Sequence, residues 1–317
     1  MSHTFASAGQ TSFLPALEAA RAAAGAQHYP AGALYMVATP IGNLADITLR
    51  ALHVLALADV IACEDTRHTQ PLLRAYGIEG KPLVALHEHN EASAAAALIE
   101  RLHGGARVAC VSDAGTPAIS DPGARLAAAC AREGLRVLPL PGASSVSTLL
   151  SAAGLGGDGQ FVFTGFLPAK PGERTAAVQA LASEARAVVL LESPHRIQAL
   201  AGALAALGER AVTVGRELTK QFEQIATLPC ASLPGWLAAD AQRQRGEFAL
   251  VLHPVDARGA SDAQAQRVLH LLLPELPLKT AVKLAAHITG APRNTLYAQA
   301  LHWQAQQPGG SATARPD

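Results

Sequence analysis

From residue 33 onward the chain alternates short, largely apolar runs with longer stretches whose apolar residues recur at helical spacing. ALYMVA (33–38), DVIACE (59–64), PLVALH (82–87), RVACV (107–111) and RVLPL (136–140) have the length of strands. Between them, ITLRALHVLALA, TQPLLRAYG, EASAAAALIERLHGG and GARLAAACAREG read as helices. Asp46 is placed to cap the first, and Gly77, Gly104–Gly105 and Gly134 read as stops. Strands that are apolar throughout, rather than alternating, predict a parallel sheet covered on both faces.

The pattern restarts near Phe161. FVFTGF (161–166), AVVLLES (187–193), AVTVGRE (211–217) and EFALVLH (247–253) read as strands, with HRIQALAGALAALGE a helix among them. DARGASDA (256–263) has no apolar period and reads as a linker. LPLKTAVKLAAHITGAPRNTLYAQALHW then carries two amphipathic helices broken at Gly290–Pro292. The predicted organisation is a flexible or partly helical extension (1–32), an N-terminal α/β domain (33–155), a second α/β domain (156–256), a small helical domain (262–306) and a disordered polar tail (307–317).

Ligands of parallel α/β sheets sit beyond the carboxyl ends of the strands. The loops there are TPIGN, CEDTRHT, HEHNE, SDAGTPAISDPG and PGASS. The fourth (112–123) packs two aspartates, two glycines and two prolines into twelve positions. Asp121-Pro122 suits a helix start, with aspartate as N-cap and proline at the first helical position. Asp113 and Gly115 fit either a tight turn in which Asp113 bonds its own backbone, or a platform meeting a ligand through main chain and one carboxylate. PGASS opens a helix whose N–H groups suit a carboxylate or phosphate.

Composition narrows the chemistry. The 317 residues are 50% hydrophobic and only 4% aromatic, so the cores are built from small aliphatic side chains. Formal net charge is zero, which gives no global field toward nucleic acid or lipid. From Arg258 onward, however, six Lys/Arg face three acids. The scattered cysteines Cys63, Cys110, Cys130 and Cys230 form no C-x-x-C pair and read as buried thiols. No apolar run is long enough to span a bilayer and no signal-peptide pattern is present, so the reading is a soluble cytoplasmic protein. No G-x-G-x-x-G follows the first strand, and neither the P-loop nor G-x-S-x-G occurs. No cluster has metal-ligand spacing; His87 and His89 around Glu88 are a weak signal.

VATPIGNLADITLRAL, CEDTR, SDAGTPAISDPG, PGASS, FTGFLP and ESPHR follow one another in this order. Together they resemble the tetrapyrrole-methylase superfamily, and more closely its ribosomal branch, the 16S rRNA (cytidine-2'-O)-methyltransferases. The resemblance runs from about Leu34 to Leu252, and LKTAVKLAAHITGAPRNTLY is similar to that branch's helical tail domain. It implies two α/β domains with S-adenosylmethionine in the cleft between them, plus the helical domain. By position it implies cofactor contacts at Pro40, Gly42, Asp113, Ala114, Gly115, Ile119, Ala143 and Ser144, and at Phe163, Thr164, Gly165, Leu191, Glu192 and Ala249. The first loop is poorer in glycine than the family's. The resemblance also implies a homodimer and a substrate of 16S rRNA within the small ribosomal subunit, at a cytidine of the decoding-centre region.

The implied reaction is in-line displacement, with a ribose O2' attacking the sulfonium methyl. The sulfonium is a good leaving system, so the protein's task is alignment and help with the hydroxyl proton. Charged residues at strand ends are the candidates: Glu64, Asp65 and Arg67 in CEDTRHT, His195 and Arg196 in ESPHR, and Arg216, Glu217 and Lys220 in GRELTKQFE. Each alone also fits a structural ion pair. Glu64, Asp65 and Arg67 are expected to help form the reaction centre, with Arg216, Glu217 and Lys220 orienting the hydroxyl or meeting phosphate. Lys279, Lys283 and Arg293 have no acid between them and suit an RNA backbone, or else a docking appendage. Two other readings remain open: a methyltransferase for a tetrapyrrole or other small molecule, and a non-catalytic adenosyl-ligand or RNA-binding module.

Overall fold

A computed structural model describes residues 13–87, 90–156, 158–255 and 257–306. The expectations for His89, for residues 1–12 and for the tail 307–317 lie outside the described residues.

The first domain opens with helix α1 (Leu14–Ala24). β1 (Ala33–Val37), α2 (Leu49–Leu57), β2 (Val60–Cys63), α3 (Thr66–Ala75), β3 (Leu83–Ala85) and α4 (Glu91–His103) follow. β4 (Val108–Val111), α5 (Ala124–Arg132), β5 (Arg136–Leu140) and α6 (Ser145–Ala152) complete it. The five strands are parallel in the order β3-β2-β4-β1-β5. Alternate residues serve opposite faces. Tyr35, Val37, Ile61 and Ala109 pack with Leu52, Leu55 and Leu72 on one side. Leu34, Met36, Val60 and Val108 pack with Leu98, Leu102 and Leu126 on the other. Both faces are apolar, which is why the runs showed no polar alternation.

Two expectations change here. The stretch read as an extension contributes α1, which places Leu17 and Ala20 in the first core. Burying one leucine contributes roughly 1.5–3 kcal/mol, so α1 is part of the domain. Asp46 does not cap α2; it closes a single 3-10 turn, and Thr48 caps the helix by accepting from the Ala51 amide at 3.1 Å.

The second domain comprises β6 (Phe161–Gly165), α7 (Pro171–Leu181), β7 (Ala187–Glu192), α8 (Ile197–Leu204) and β8 (Ala211–Arg216). β9 (Gln224–Pro229), α9 (Leu233–Ala238) and β10 (Phe248–Leu252) follow. The sheet order is β6-β7-β10-β8-β9, and only the β6–β7 pair is parallel. α7, α8 and α9 cover one face through Val178, Leu200, Leu204 and Leu237. The other face presents Ala187, Val189, Ala249 and Val251 to Leu149 and Ala153 of the first domain, with Ile41 and Leu218 in the same cluster. This apolar seam joins the domains.

The remainder is three helices: the two expected ones and one before them. α10 (Ala257–Leu272) begins inside the stretch read as a linker, and α11 (Leu278–Thr289) and α12 (Arg293–Gln306) follow. Their own core is Leu269, Val282, Leu296 and Ala300. Gly290, left-handed at φ 73°, ends α11 where the break was expected. All four cysteines are buried free thiols. Among the described residues, no helix is long and apolar enough to cross a membrane.

Candidate active site

The chain leaves β1 for α2 on one face of the first sheet and leaves the neighbouring β4 for α5 on the other. A crevice therefore opens between the tips of β1 and β4. Their loops are fastened together. Thr39 and Gly115 exchange two backbone hydrogen bonds of 2.9 and 3.0 Å. Thr39 Oγ1 donates to the Ser112 carbonyl at 3.1 Å, and Thr116 Oγ1 donates to the Ala143 carbonyl at 3.0 Å. Gly115 has φ 83°, and a Cβ there would lie 3.3 Å from Ile41 Cγ2 and 3.7 Å from the Ala143 carbonyl. Only glycine combines that backbone with that approach.

This platform meets the second domain. Ala143 shares the interdomain cluster with Ile41, Phe163, Leu191 and Ala249. Gly115 lies beside Ala143 and Ser144, and Gly42 lies against Leu218 to Lys220 of the second domain, while Pro40 precedes Ile41 on the same loop. Ile119 is 53% exposed on the same loop as Asp113 and Gly115. Ala114 turns its carbonyl to Ser112 Oγ at 3.3 Å. Thr164 spends its hydroxyl on the Val189 carbonyl at 3.2 Å, and Gly165 takes φ 65° at a β-irregularity. Glu192 is buried and faces its own turn: Oε1 accepts from the Ser193 amide at 2.9 Å and lies 3.3 Å from Arg196 Nε. Arg196 also donates to the Leu167 carbonyl, so it serves the fold, while His195 is exposed.

The β2–α3 loop is clipped to this platform by Asp113. Its Oδ1 accepts from the Asp65 amide at 3.2 Å, and its Oδ2 lies 2.6 Å from His68 Nδ1. Asp113 therefore bonds a neighbouring loop rather than its own backbone. Asp65 caps α3, accepting from the Arg67 amide at 2.8 Å, and binds the Arg67 guanidinium at 2.5–3.0 Å. Those bonds hold its carboxyl well below the usual range. The Arg67 side chain is 86% exposed. Glu64 differs: burial first, then the charges of Asp113 and Asp121, push its pKa up.

Asp121 is not the cap of α5. That helix starts at Ala124 behind Gly123, which occupies the cap position at φ 121°. Asp121 instead lies in the carboxylate group with Glu64 and Asp113, and burial raises its pKa against hydrogen bonds from Ser120 and Ser112. A carboxyl raised in the folded state contributes most below the ordinary aspartate range, and that contribution is lost as pH rises through its native value. Asp121→Asn is therefore expected to raise the melting temperature at pH 7 by roughly 2 °C. At about pH 4 it is expected to change little. A capping aspartate would show the opposite, a loss of about 1 kcal/mol on removal. Thermal melts at the two pH values separate these outcomes.

On the other flank, the β8–β9 turn reaches the β1 loop. A Cβ on Gly42 would overlap Lys220 Cγ and sit 2.9 Å from both the Leu218 carbonyl and Thr219 Oγ1. Lys220 Nζ lies 2.9 Å from Glu217 Oε1 and 3.1 Å from Glu247 Oε2. Burial works against the ammonium, but its bonds to Glu217 and Glu247 outweigh this and raise its pKa. Burial likewise opposes the Glu217 charge, yet the Lys220 and Glu247-amide hydrogen bonds lower its pKa. Lys220 is a fixed cation, not a base. Arg216 is buried and donates to the carbonyls of Arg245 (2.6 Å) and Phe222 (3.2 Å), so it braces the turn. Among the described residues, the non-glycine positions with left-handed backbone are Ala118 (φ 67°), Glu217 (φ 52°) and Thr219 (φ 65°). Ala118 lies in the β4–α5 loop and the other two in the β8–β9 turn, and each costs on the order of 1–2 kcal/mol.

The charged candidates thus fall into two groups flanking the platform: Glu64, Asp65 and Arg67 against the β4 loop, and Glu217 and Lys220 against the β1 loop. Lys279, Lys283 and Arg293 are exposed on the helical domain. Sequence reading missed Thr39, Ser112, Thr116, His68 and Glu247. The Thr-Pro pairs at 39–40 and 116–117 were the available signal. Among the described residues, no group of three or more His, Cys, Asp or Glu is arranged to hold a metal ion.

Residues 33–234, more than half of the chain, match the family described as Tetrapyrrole (Corrin/Porphyrin) Methylases. The chain belongs to the tetrapyrrole methylase family. In this tetrapyrrole methylase, residues 259–304 also match the RsmI C-terminal HTH domain, so the resemblance read from the motifs is borne out at both ends. It is 49% identical to the ribosomal RNA small subunit methyltransferase I of Pseudomonas aeruginosa, over 86% of this chain and 98% of that protein. The Escherichia coli O157:H7 protein of the same name is also 49% identical, over 86% of this chain and 96% of its own. Among solved structures, the cobalt precorrin-4 methyltransferase CbiF aligns with a TM-score of 0.53 at 19% identity, over 71% of this chain and 98% of that one. Diphthine synthase aligns at 0.54 and 16%, over 69% and 89%. These last two show that the tetrapyrrole methylase fold is shared.

Proposed function

We propose that this protein transfers a methyl group from S-adenosylmethionine to the ribose 2'-hydroxyl of a cytidine in the decoding-centre region of 16S rRNA. The coarser part stands on kinship: the chain is an S-adenosylmethionine-dependent methyltransferase of small-subunit rRNA, related over nearly the whole length of proteins that bear that name. The same kinship selects RNA over a tetrapyrrole substrate, since the likeness to the corrin enzyme is one of fold.

The site fits the cofactor by its donor set. Small residues of the Pro40–Gly42, Ala114–Gly115 and Ala143–Ser144 loops stand beside Phe163, Leu191 and Ala249, a surround with few polar anchors. When bound, S-adenosylmethionine supplies an electrophilic methyl group on a sulfonium. The protein's own residues then orient the attacking hydroxyl and manage its proton. The observation that carries this reading is Lys220, a cation fixed by two carboxylates and lodged against the β1 loop. It suits the developing negative charge of a ribose oxygen or a neighbouring phosphate. Glu64 and Asp121 are both carboxyls with raised basicity; proton removal is assigned to Glu64, which adjoins the Asp65–Arg67 pair, rather than to Glu217, whose pKa is lowered. Asp65 orients Arg67 at the rim.

Lys279, Lys283 and Arg293 extend the reading to RNA backbone contacts on α11 and α12. Exposed Phe222 and Ile225, at the β9 edge of the second sheet, offer a face for a homodimer. An rRNA substrate places the enzyme in the cytoplasm. The test is transfer from labelled S-adenosylmethionine to assembled small subunits, to naked 16S rRNA and to a uroporphyrinogen-type tetrapyrrole in parallel. Label is expected in the RNA of the subunits; label only in the small molecule would overturn the assignment.

A further inference from the structure

The helical domain carries an open surface cavity that the reaction does not use. It measures about 340 Å³ and is lined by Gln266, Arg267, His270 and Leu271 of α10 and by Trp303 of α12. The imidazole of His270 meets the Trp303 indole edge-to-face, with centroids 4.8 Å apart and planes at 83°. Leu271 is 68% exposed. The four α10 residues lie at spacings of one, four and five, which places them along one side of that helix.

The lining is chemically specific. It combines an indole and an imidazole ring, a guanidinium, a primary amide and an aliphatic side chain, with no acid among the five. A purely apolar occupant would leave Arg267 and Gln266 without a role, and a phosphate would not need the indole. A flat heteroaromatic group with hydrogen-bonding edges uses all of them: its faces pack on Trp303 and Leu271, and its edge meets the amide and guanidinium.

We propose that the Trp303 cavity takes an unpaired nucleobase of the RNA substrate, anchoring a single-stranded segment while another nucleotide is methylated in the cleft. The proposal rests on the rRNA reading above. It divides the helical domain's work: Lys279, Lys283 and Arg293 supply charge that any phosphate backbone meets, and the cavity demands a base free of its stack.

The chain has two tryptophans, Trp236 and Trp303. Trp236 lies in the second domain under the Arg243 guanidinium, at 4.5 Å. The full-length Trp236→Phe protein therefore reports on Trp303 alone. Titration with short single-stranded RNA is expected to quench its fluorescence saturably, whereas duplex RNA of equal length leaves it unchanged. Trp303→Ala should weaken binding of a dye-labelled single strand by roughly 5- to 100-fold. Arg267→Ala, at an exposed position that spares the core, should weaken it by a smaller factor. Lys279→Ala with Lys283→Ala should lower affinity yet keep the full quench at saturation. RNA bound with no quench, and bound equally well by the Arg267 and Trp303 variants, would overturn the cavity assignment and leave the rRNA reading standing. A protein that binds no RNA at all would overturn both, and quenching by an unrelated peptide but not by RNA would reassign the cavity to a protein partner.

Discussion

Replacing Lys220 by methionine is expected to reduce methyl transfer about 100- to 1000-fold, the range for removing one fixed charge donor from a reaction centre. Affinity for S-adenosylmethionine should stay within about threefold, because the contacts assigned to the cofactor lie on the platform loops and the opposite strand ends. The effect is electrostatic and local. Glu217 and Glu247 hold the ammonium at 2.9 and 3.1 Å, and its stem lies against Gly42. A methionine keeps the packing and removes the charge. It also leaves Glu217 half-buried without its cation, so the folded-state pKa of that carboxyl should rise. Stability would then fall as pH rises through the new value. Lys220→Met combined with Glu217→Gln should restore the melting temperature without restoring transfer. A lower kcat at unchanged KM would place Lys220 on the hydroxyl; a higher KM for RNA at unchanged kcat would place it on phosphate. Unchanged rates in both would reduce it to a brace between domains.

The second large effect is expected at Asp113. Asp113→Ala removes the acceptor that joins the β2–α3 loop to the β4 loop, leaving the Asp65 amide and His68 without it. A lost bond of this kind costs about 1–3 kcal/mol. If the platform is set by that clip, most of this cost appears as weaker cofactor binding, about 5- to 100-fold by calorimetry. Thermal stability should fall modestly in the same variant. Asp113→Asn keeps one acceptor for the Asp65 amide and should lie between alanine and wild type. Wild-type affinity in the alanine variant would show that the two loops bind the cofactor independently.

Much of the first domain was legible because each strand is a short apolar run, three of them followed closely by glycine or proline, and both faces of its sheet are covered. The second sheet was harder. β9, with the sequence QIATLP, mixes polar residues with a proline at its end and lies at the sheet edge, so no pattern marked it. α10 was hidden by Gly259, Ser261 and Asp262, residues of low helix propensity that the rest of the helix overrides. The cofactor loops could be found from their excess of turn residues, and Gly115, Ala118 and Gly123 explain that excess: all three adopt positive φ within nine positions. Asp121 misled because Asp-Pro before a helix imitates a cap, whereas the chain needs one more left-handed residue before α5 begins. The pairings that make the site, Asp113 with His68 and Lys220 with the Gly42 loop, join residues 45 and more positions apart. No local pattern encodes such contacts; they appear only when the sheet order is known.

Methylation of a ribose hydroxyl in small-subunit RNA leaves a chemical signature. The most direct measurement is to incubate the protein with methyl-labelled S-adenosylmethionine and small subunits lacking the modification, hydrolyse the RNA in alkali, and locate the label. A 2'-O-methylated ribose blocks cleavage at its own 3' phosphate, so the predicted result is label in a single alkali-resistant dinucleotide that begins with cytidine. Label released as a base-methylated mononucleotide, or found beside another nucleoside, would contradict the account.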